Sequence, residues 1–443
     1  MTPDTEQAPR RDGLSNILRN LAWILGGKGF GAICSFFYLA ILARSLGMKD
    51  FGHFSLIFGT AQALVAVAGF QTWQTLVRYG ARHVVDRHDS RFGRLIWFCA
   101  SADILGAITG CLVAAILYFG FSSALELNPA YVVPGFLFAC ALMWSRLTTP
   151  SGIVRVLDRF DVGMYIEAII PTGRLIASGI ILATGASVVK FLFAWAFFDL
   201  LSGLLYWIVA ARLAPDAFHW RNFGQFRQML DENTGVRGFF GVTYMATTLD
   251  AVVRQGPLLA VGFFLGTSAA GLYRLADQLA VGAKQFTVLV ARAVLPEFAM
   301  SRMSDAAHDF TKLVRRISAI AALAGVSVLL LAIFAGEPLL VLIGGSDYAR
   351  GAVVLVPLAV GAGFELASVA YEPMLYSTGH ARYALLARLL SVAALAIAVP
   401  AFVFAGPTGV GWAVAVAMGI FYLAMSVIVW IILRKLRTQG DTA

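Results

Sequence analysis

The sequence returns about twelve times to an apolar stretch of roughly 20 residues, the length a helix needs to cross the hydrocarbon core of a bilayer. The stretches lie near 18–43, 53–78, 95–121, 131–148, 164–184, 189–211, 239–265, 271–295, 314–335, 351–376, 383–405 and 409–433. Inside lipid no water is available to a bare N–H or C=O, so a spanning segment must satisfy its own backbone, and a helix does. Apolar and polar residues do not alternate with the period of two that a barrel strand requires. Only 13% of the 443 residues are charged, about half the share of a soluble domain. A charged coat for a soluble protein of this length is therefore missing. The expected fold class is an all-α polytopic membrane protein with about twelve spans.

The basic residues orient the chain. Residues 1–16 are polar, with Arg10 and Arg11, and read as a cytosolic tail rather than a cleaved leader. With that tail inside, 25 of the 34 Lys and Arg fall in cytosolic segments. Four (Arg44, Lys49, Lys190 and Arg350) fall outside, and five lie within spans. This is a positive-inside bias with both termini cytosolic. The formal charge of +9 is thus a topology signal suited to anionic lipid headgroups, and no nucleic-acid partner is expected. The longest break between runs, 212–237, separates a six-helix half at 17–211 from another at 238–436, with 437–443 as a second tail. Its Trp220, Phe223, Phe226 and Leu230 fit an amphipathic helix lying in the interface. A solvated linker carrying a few aromatics fits equally well.

Two segments 219 residues apart resemble each other. Leu46-Gly47, three residues, Phe51-Gly52, one residue and Phe54 are matched by Leu265-Gly266, three residues, Ala270-Gly271, one residue and Tyr273. Each follows the first span of its half, and Gly47, Gly52, Gly266 and Gly271 are expected to form tight outer turns. Two six-helix repeats are a common transporter plan, with the substrate site between them.

The stretch Leu42-Ala43-Arg44-Ser45-Leu46-Gly47-Met48-Lys49-Asp50-Phe51-Gly52 resembles a segment of bacterial Wzx-type polysaccharide flippases, a branch of the MOP superfamily that also holds the MATE drug exporters. Asp250, Leu265-Gly266, Gly271, Tyr273, Leu275-Ala276 and Leu279-Ala280 resemble that family's seventh and eighth helices. Pro296-Glu297 and the stretch Gly344 to Tyr348 fit as well. The resemblance implies two six-helix bundles around a V-shaped cavity lined by helices 1, 2, 7 and 8. It also implies transport of an undecaprenyl-diphosphate-linked oligosaccharide, for O-antigen or exopolysaccharide, across a bacterial inner membrane. Other membrane proteins of polysaccharide assembly would be its partners, beside membrane lipids.

Charges within the spans point to a passage. The cations are Lys28, Arg174, Arg254, Arg274 and Lys284, and the anions are Asp103, Glu167, Asp199, Asp250, Asp277, Glu365 and Glu372. A mid-membrane charge costs about 2.5–3.5 kcal/mol each on insertion scales, so these groups pair or face a wet cavity. Asp250 with Arg254, Arg274 with Asp277, and Glu167 with Arg174 share helix faces. They are either structural pairs or lining. Lys28 and Lys284 are expected to stay unpaired. The resemblance, which puts helices 1, 7 and 8 along the cavity, implies that with Arg254 and Arg274 they would surround a diphosphate, Arg as a fork and Lys as a point charge. Gln71, Gln74 and Arg78 share one face of a continuous second helix and would meet sugar hydroxyls or neighbouring helices. Asp250, Asp277, Asp199 and Glu365 are candidate coupling sites for H+ or Na+. Trp73 and Trp97 read as interfacial anchors.

Enzyme signatures are missing. Gly26-Gly27-Lys28-Gly29 lacks the first glycine and the Ser/Thr of a phosphate loop. Gly266 to Gly271 is one residue too long for a nucleophile elbow. The six histidines lie in loops or at span ends, and Cys34, Cys99, Cys111 and Cys140 read as free thiols in spans. No enzyme, metal or cofactor is expected. The rival readings are a MATE-like cation or drug antiporter, which an acidic cavity would favour, and a membrane polymerase or ligase, which would need a larger outer loop.

Overall fold

The structure is a computed structural model and describes residues 11–121, 127–299, 308–377 and 381–440, with side chains described for 29–121, 127–285, 318–372, 374–375 and 382–434. Among the described residues every regular element is a helix. The main ones are α1 (Arg11–Ala68), α2 (Asp89–Ala115), α3 (Pro129–Ser145), α4 (Thr149–Val156), α5 (Phe160–Thr184) and α6 (Val188–Leu213). A linker helix, α7 (Phe226–Glu232), leads into α8 (Val236–Ala299), α9 (His308–Gly344), α10 (Ala352–Ala367), α11 (Tyr371–Ser377), α12 (Ala381–Phe402) and α13 (Gly406–Gly440). Nine segments of the described residues are long and apolar enough to cross a membrane.

Three of those segments are long enough for two crossings. The apolar segment of α1, Gly29–Ala68, has 40 residues, about 60 Å of helix against a core of about 30 Å. The excess is resolved at Gly47 in α1 and Gly266 in α8, which break the helical path with φ of +71° and +83°. A side chain would strain either position, and glycine adopts it freely. Both belong to the repeated segments. The third long segment, Arg382–Arg434, turns through a 3-10 stretch at Val403–Ala405.

The repeat's other two glycines have a different job. Gly52 and Gly271 are helical, not turn residues, which corrects the expectation for them. A methyl group built on Gly52 would stand 1.8 Å from the Thr267 carbonyl oxygen, and one on Gly271 2.4 Å from the Met48 carbonyl oxygen. Met48 and Thr267 each follow a kink glycine. The repeats therefore grip each other reciprocally: the residue after each kink presents its carbonyl to the helical glycine of the other copy. Hydrogens of Gly52 and Gly271 occupy those directions, the geometry of Cα–H···O contacts.

From this crossing the second arm of α1 runs antiparallel to the first arm of α8. Leu56 packs on Gly262, Leu258 on Gly59, Thr248 Oγ1 reaches the Ala66 carbonyl, and Tyr244 Oη donates to the Val67 carbonyl at 2.6 Å. Phe70 and Phe240 close the far end with ring centroids 5.3 Å apart. At the kink end Arg44 donates to the Leu342 carbonyl at 2.7 Å, and Phe51 meets Tyr348 edge-on. One apolar core passes through both halves, from Leu42 and Phe54 to Leu275, Leu340 and Val410.

The second span is not one helix to residue 78. Helix α1 ends at Ala68, Gln71 has φ of +49°, and the chain resumes as a short helix, a π turn at Leu76–Gly80 and a further turn at Ala81–Val85. The break serves a buried carboxylate. Asp103 Oδ2 accepts from Thr72 Oγ1 at 2.9 Å and from the Thr149 hydroxyl and backbone N–H, both at 2.8 Å. A continuous helix would not be free to turn Thr72 to that task.

The linker is folded. Met229 of α7 is buried in a cluster with Leu76, Phe92, Ile96 and Val236. Arg94 pairs with Glu232, and His83 Nε2 bonds Asn233 Oδ1 at 2.9 Å. Trp220, Phe223 and Phe226 remain exposed, with Trp220 against Trp97 at 5.2 Å.

The crossing makes a direct prediction. Gly52→Ala should lower the thermal midpoint of the detergent-solubilised protein, at an overpacking cost of about 1–3 kcal/mol. Gly179→Ala, also helical but with nothing within 4 Å of the added carbon, should raise it by up to about 1 kcal/mol from helix propensity alone. Equal behaviour of the two variants would remove the close approach from the account.

Candidate functional site

In the second half, α8 brings Asp250, Arg254, Arg274, Asp277 and Lys284 to one bundle, and α10, α11 and α12 add Glu365, Glu372 and Arg388. Arg254 Nε donates to Asp250 Oδ2 at 2.7 Å, and its Nη2 lies 3.9 Å from Glu365 Oε1. Lys284 Nζ donates to Glu365 Oε2 at 2.5 Å. Arg388 forks, with Nη1 on Asp250 Oδ1 and Nη2 on Glu372 Oε1 at 2.8 Å. The result is one chain of alternating sign: Glu372, Arg388, Asp250, Arg254, Glu365, Lys284. Three cations meet three anions.

The chain is not sealed. The Arg254 side chain is 54% exposed and that of Glu365 39%, while Lys284 is 16% exposed. An exposed guanidinium in an apolar span has to face water rather than acyl chains, so this side of the network borders a wet space. Arg274 pairs with Asp277 at 3.7 Å and is largely buried.

The first half holds a tighter arrangement. Asp199 on α6 is fully buried and accepts from Arg174 Nη2 at 2.5 Å and Arg146 Nη2 at 2.9 Å. The Arg174 guanidinium lies 5.1 Å from the Trp195 ring and 5.7 Å from that of Phe58. Arg274 approaches Phe58 from the other half at 5.8 Å. One aromatic ring on α1 is thus flanked by an arginine from each half, both tied to carboxylates.

Several sequence readings are corrected. Lys284 is not unpaired, because Glu365 from α10 reaches it across the bundle. Arg174 pairs with Asp199 rather than Glu167, which lies 3.7 Å from Arg155 and accepts from Tyr206 Oη. Gln71 does not share a helix face with Gln74 and Arg78, since it lies in the break at 69–72 and they follow it. Gln71 Oε1 accepts from Trp73 Nε1, and Arg78 stacks on Phe239 at 4.5 Å. The Lys28 side chain lies outside the described residues. Arg388 and Arg146, both among the 25 basic residues counted as cytosolic, hold carboxylates of the spans: Arg388 holds Asp250 and Glu372, and Arg146 holds Asp199. Arg388 had a signal: it lies inside the apolar run at 383–405, more than one turn from its edge.

Long bent apolar helices joined through a repeated glycine crossing, with paired charges between them, make a multi-pass membrane protein. The chain belongs to the polysaccharide biosynthesis protein family, whose match covers residues 17–304. It is 25% identical over 346 residues to the inner membrane protein YghQ of Escherichia coli (strain K12), across 75% of this chain and 93% of that protein. Its fold is similar to an inward-facing multidrug resistance MATE transporter of the MOP superfamily (TM-score 0.68, 14% identity, 91% of this chain and 96% of the other). It is also similar to the lipid II flippase MurJ in an inward closed conformation (TM-score 0.60, 13% identity, 91% and 86%). The MATE transporter of the MOP superfamily thus shares this chain's fold, in line with the sequence resemblance.

The buried pair in the first half is testable as structure. Arg174→Met leaves Asp199 with one arginine of two and should destabilise the protein by about 3 kcal/mol. Arg174→Met combined with Asp199→Leu should recover most of that loss, read as thermal midpoints in detergent. An unchanged midpoint in the single variant would show that Arg146 alone suffices.

Proposed function

We propose that this protein is a lipid-linked oligosaccharide flippase of a bacterial inner membrane. It moves an undecaprenyl-diphosphate-linked repeat unit, of the O-antigen or exopolysaccharide kind, from the cytosolic to the outer leaflet. The observation that carries this reading is the set of three membrane-depth cations, Arg254, Lys284 and Arg388, bordering a wet space in a chain of the polysaccharide biosynthesis family. A diphosphate leaving water needs such donors. Two guanidinium forks and one ammonium supply directed and undirected charge respectively. Arg274 and Lys28 would extend that set toward the first half. Asp250, Asp277, Asp199 and Glu365 are the carboxylates available to couple transport to H+ or Na+.

Counting each bent helix as two passes gives twelve passes, six from residues 17–211 and six from 238–436. The linker end then faces the cytosol and the kink end faces outward. The two halves rock about the seam between the second arm of α1 and the first arm of α8, as alternating access requires. The sugar head travels between the halves. The lipid tail stays in the bilayer beside the first arm of α1, where Phe30, Ile33 and Phe37 are exposed. Binding is non-covalent throughout, and no cofactor enters.

A second reading, a MATE-like cation antiporter, is favoured by one feature: the network's three carboxylates equal its cations in number. Gene deletion separates the two readings. A flippase leaves lipid-linked sugar accumulating on the cytosolic face, with drug susceptibility unchanged. A drug antiporter leaves the glycan intact and sensitises the cell.

Complementation tests the site. Arg388→Gln paired with Glu372→Gln keeps the network neutral and removes one fork. It should restore surface glycan about 10- to 100-fold less efficiently than wild type at equal expression, the value of one charge-assisted contact. Full restoration would take Arg388 out of the path.

A further inference from the structure

Between α2 and α6 lies a groove of about 450 Å³ that the transport path does not use. Its lining includes Ile96, Trp97, Ala100, Trp207, Ala211 and Phe218, all apolar apart from the two indole N–H groups. The size falls within the range of about 300–1,000 Å³ typical of small-molecule sites. Ile96 and Ala100 form a buried floor, while Ile104 and Ile208 stand exposed at the walls. The groove follows α2 for nine residues, from Ile96 to Ile104, about 12 Å of helix. It starts at the end of α2 that carries Arg91 and Arg94.

Three observations say what fills it. The groove lies on segments long and apolar enough to span a membrane, so its occupant comes from the bilayer. The Trp97 indole Nε1 is buried and has no hydrogen-bond partner among the described residues. An orphan donor in an apolar wall wants an oxygen that the protein does not supply. Finally, two arginines adjoin the lining along the chain. Arg212 follows the lining residue Ala211, and Arg221 follows Trp220, whose ring meets Trp97. Both arginines are exposed and lack an ion-pair partner among the described residues. Arg94, by contrast, is held by Glu232.

We infer that this groove binds one anionic phospholipid of the cytosolic leaflet. An acyl chain lies along Ile96 to Ile104. An ester or phosphate oxygen accepts from Trp97 Nε1, and Arg212 and Arg221 hold the headgroup. The substrate's own polyprenyl tail is the poorer fit. The groove is built from α2, α6 and the turn at Pro215–Phe218 alone, whereas a head between the halves leaves its tail beside the first arm of α1. Bound lipid would join the folded linker to the first half through Trp220 and Phe223, which stack at 5.1 Å.

Native mass spectrometry of the full-length protein, released from detergent with added phosphatidylglycerol, phosphatidylcholine or undecaprenyl phosphate, tests this. Wild type should retain one phosphatidylglycerol in preference to phosphatidylcholine. Arg212→Gln with Arg221→Gln should weaken that retention about 25-fold, from about fivefold for each arginine near a headgroup. Trp97→Phe keeps the ring, removes the donor and should weaken it about fivefold. Equal retention of the two phospholipids by wild type, or retention unmoved by these variants, would overturn the inference. Preferential retention of undecaprenyl phosphate would also overturn it. Transport activity does not enter this readout, so its outcome is independent of the flippase reading.

Discussion

The structure depends on two backbones touching. At the crossing of α1 and α8 no side chain separates the helices, because Gly52 and Gly271 have none to insert. The contact is reciprocal, as an isologous interface between related units must be. The carbonyl of Thr267 faces Gly52 and that of Met48 faces Gly271. Neither carbonyl would stand there without the kink one residue earlier, at Gly47 or Gly266. Each copy of the repeat thus contributes a bend and a receiving surface, and neither copy closes the contact alone. This explains why the repeat retains its glycines at both positions while the residues between them differ: Met48, Lys49 and Asp50 against Thr267, Ser268 and Ala269.

Charge is the second constraint, and the two halves solve it differently. In the first half Asp199 is sealed between two arginines, and Asp103 is held by hydroxyls and one backbone N–H. Such sealed groups cost several kcal/mol to break and contribute little while intact, the behaviour of structural pairs. In the second half the six-membered chain is neutral as a whole but open along Arg254 and Glu365. In the proposed flippase an arriving anion would compete there with carboxylates for the same donors. Its binding would release Asp250, Glu365 or Glu372 from a partner, and a released carboxylate at membrane depth would take up a cation or move. Ligand binding and carboxylate occupancy would then be coupled by the arithmetic of the network, whichever cation is used.

The elements legible in the sequence were those set by local rules. Apolar runs marked the helices, since length and hydropathy alone decide whether a segment stays in lipid. The repeat was legible through spacing, and Asp250 with Arg254 through their four-residue separation. Everything that joins distant segments was hidden. Lys284 and Glu365 are 81 positions apart, and Arg388 and Asp250 138. Helical periodicity carries no information about such pairings. The break at 69–72 was missed for a related reason. Its partner is Asp103, 31 residues beyond Thr72, which periodicity cannot show, although Gly69, Thr72 and Thr75 are weak helix formers in an otherwise apolar run. Gly52 and Gly271 were read as turn residues because they sit near turns. That they are contact residues becomes visible only when both copies are folded.

The crossing also suits a joint that must open. A seam packed with large side chains would interlock, and separating it would expose much apolar area at about 25 cal/mol per Å². At the Gly52–Gly271 contact the groups that part are backbone atoms held by dispersion and Cα–H···O contacts, which fall off within about an ångström. Arg44 adds a hydrogen bond to the Leu342 carbonyl, and at a wet surface water replaces it at little net cost. The bulky contacts at this end, Phe51 on Tyr348, lie beside the crossing rather than in it. At the opposite end of the same seam Phe70, Phe240 and Tyr244 form an aromatic cluster, with the Tyr244 hydroxyl on the Val67 carbonyl. Phe51 and Tyr348 are nevertheless fully buried, whereas Phe70, Phe240 and Tyr244 are only partly buried. In the proposed rocking mechanism the crossing itself would part over a small displacement, and the apolar core flanking it would set the larger cost of opening the kink end.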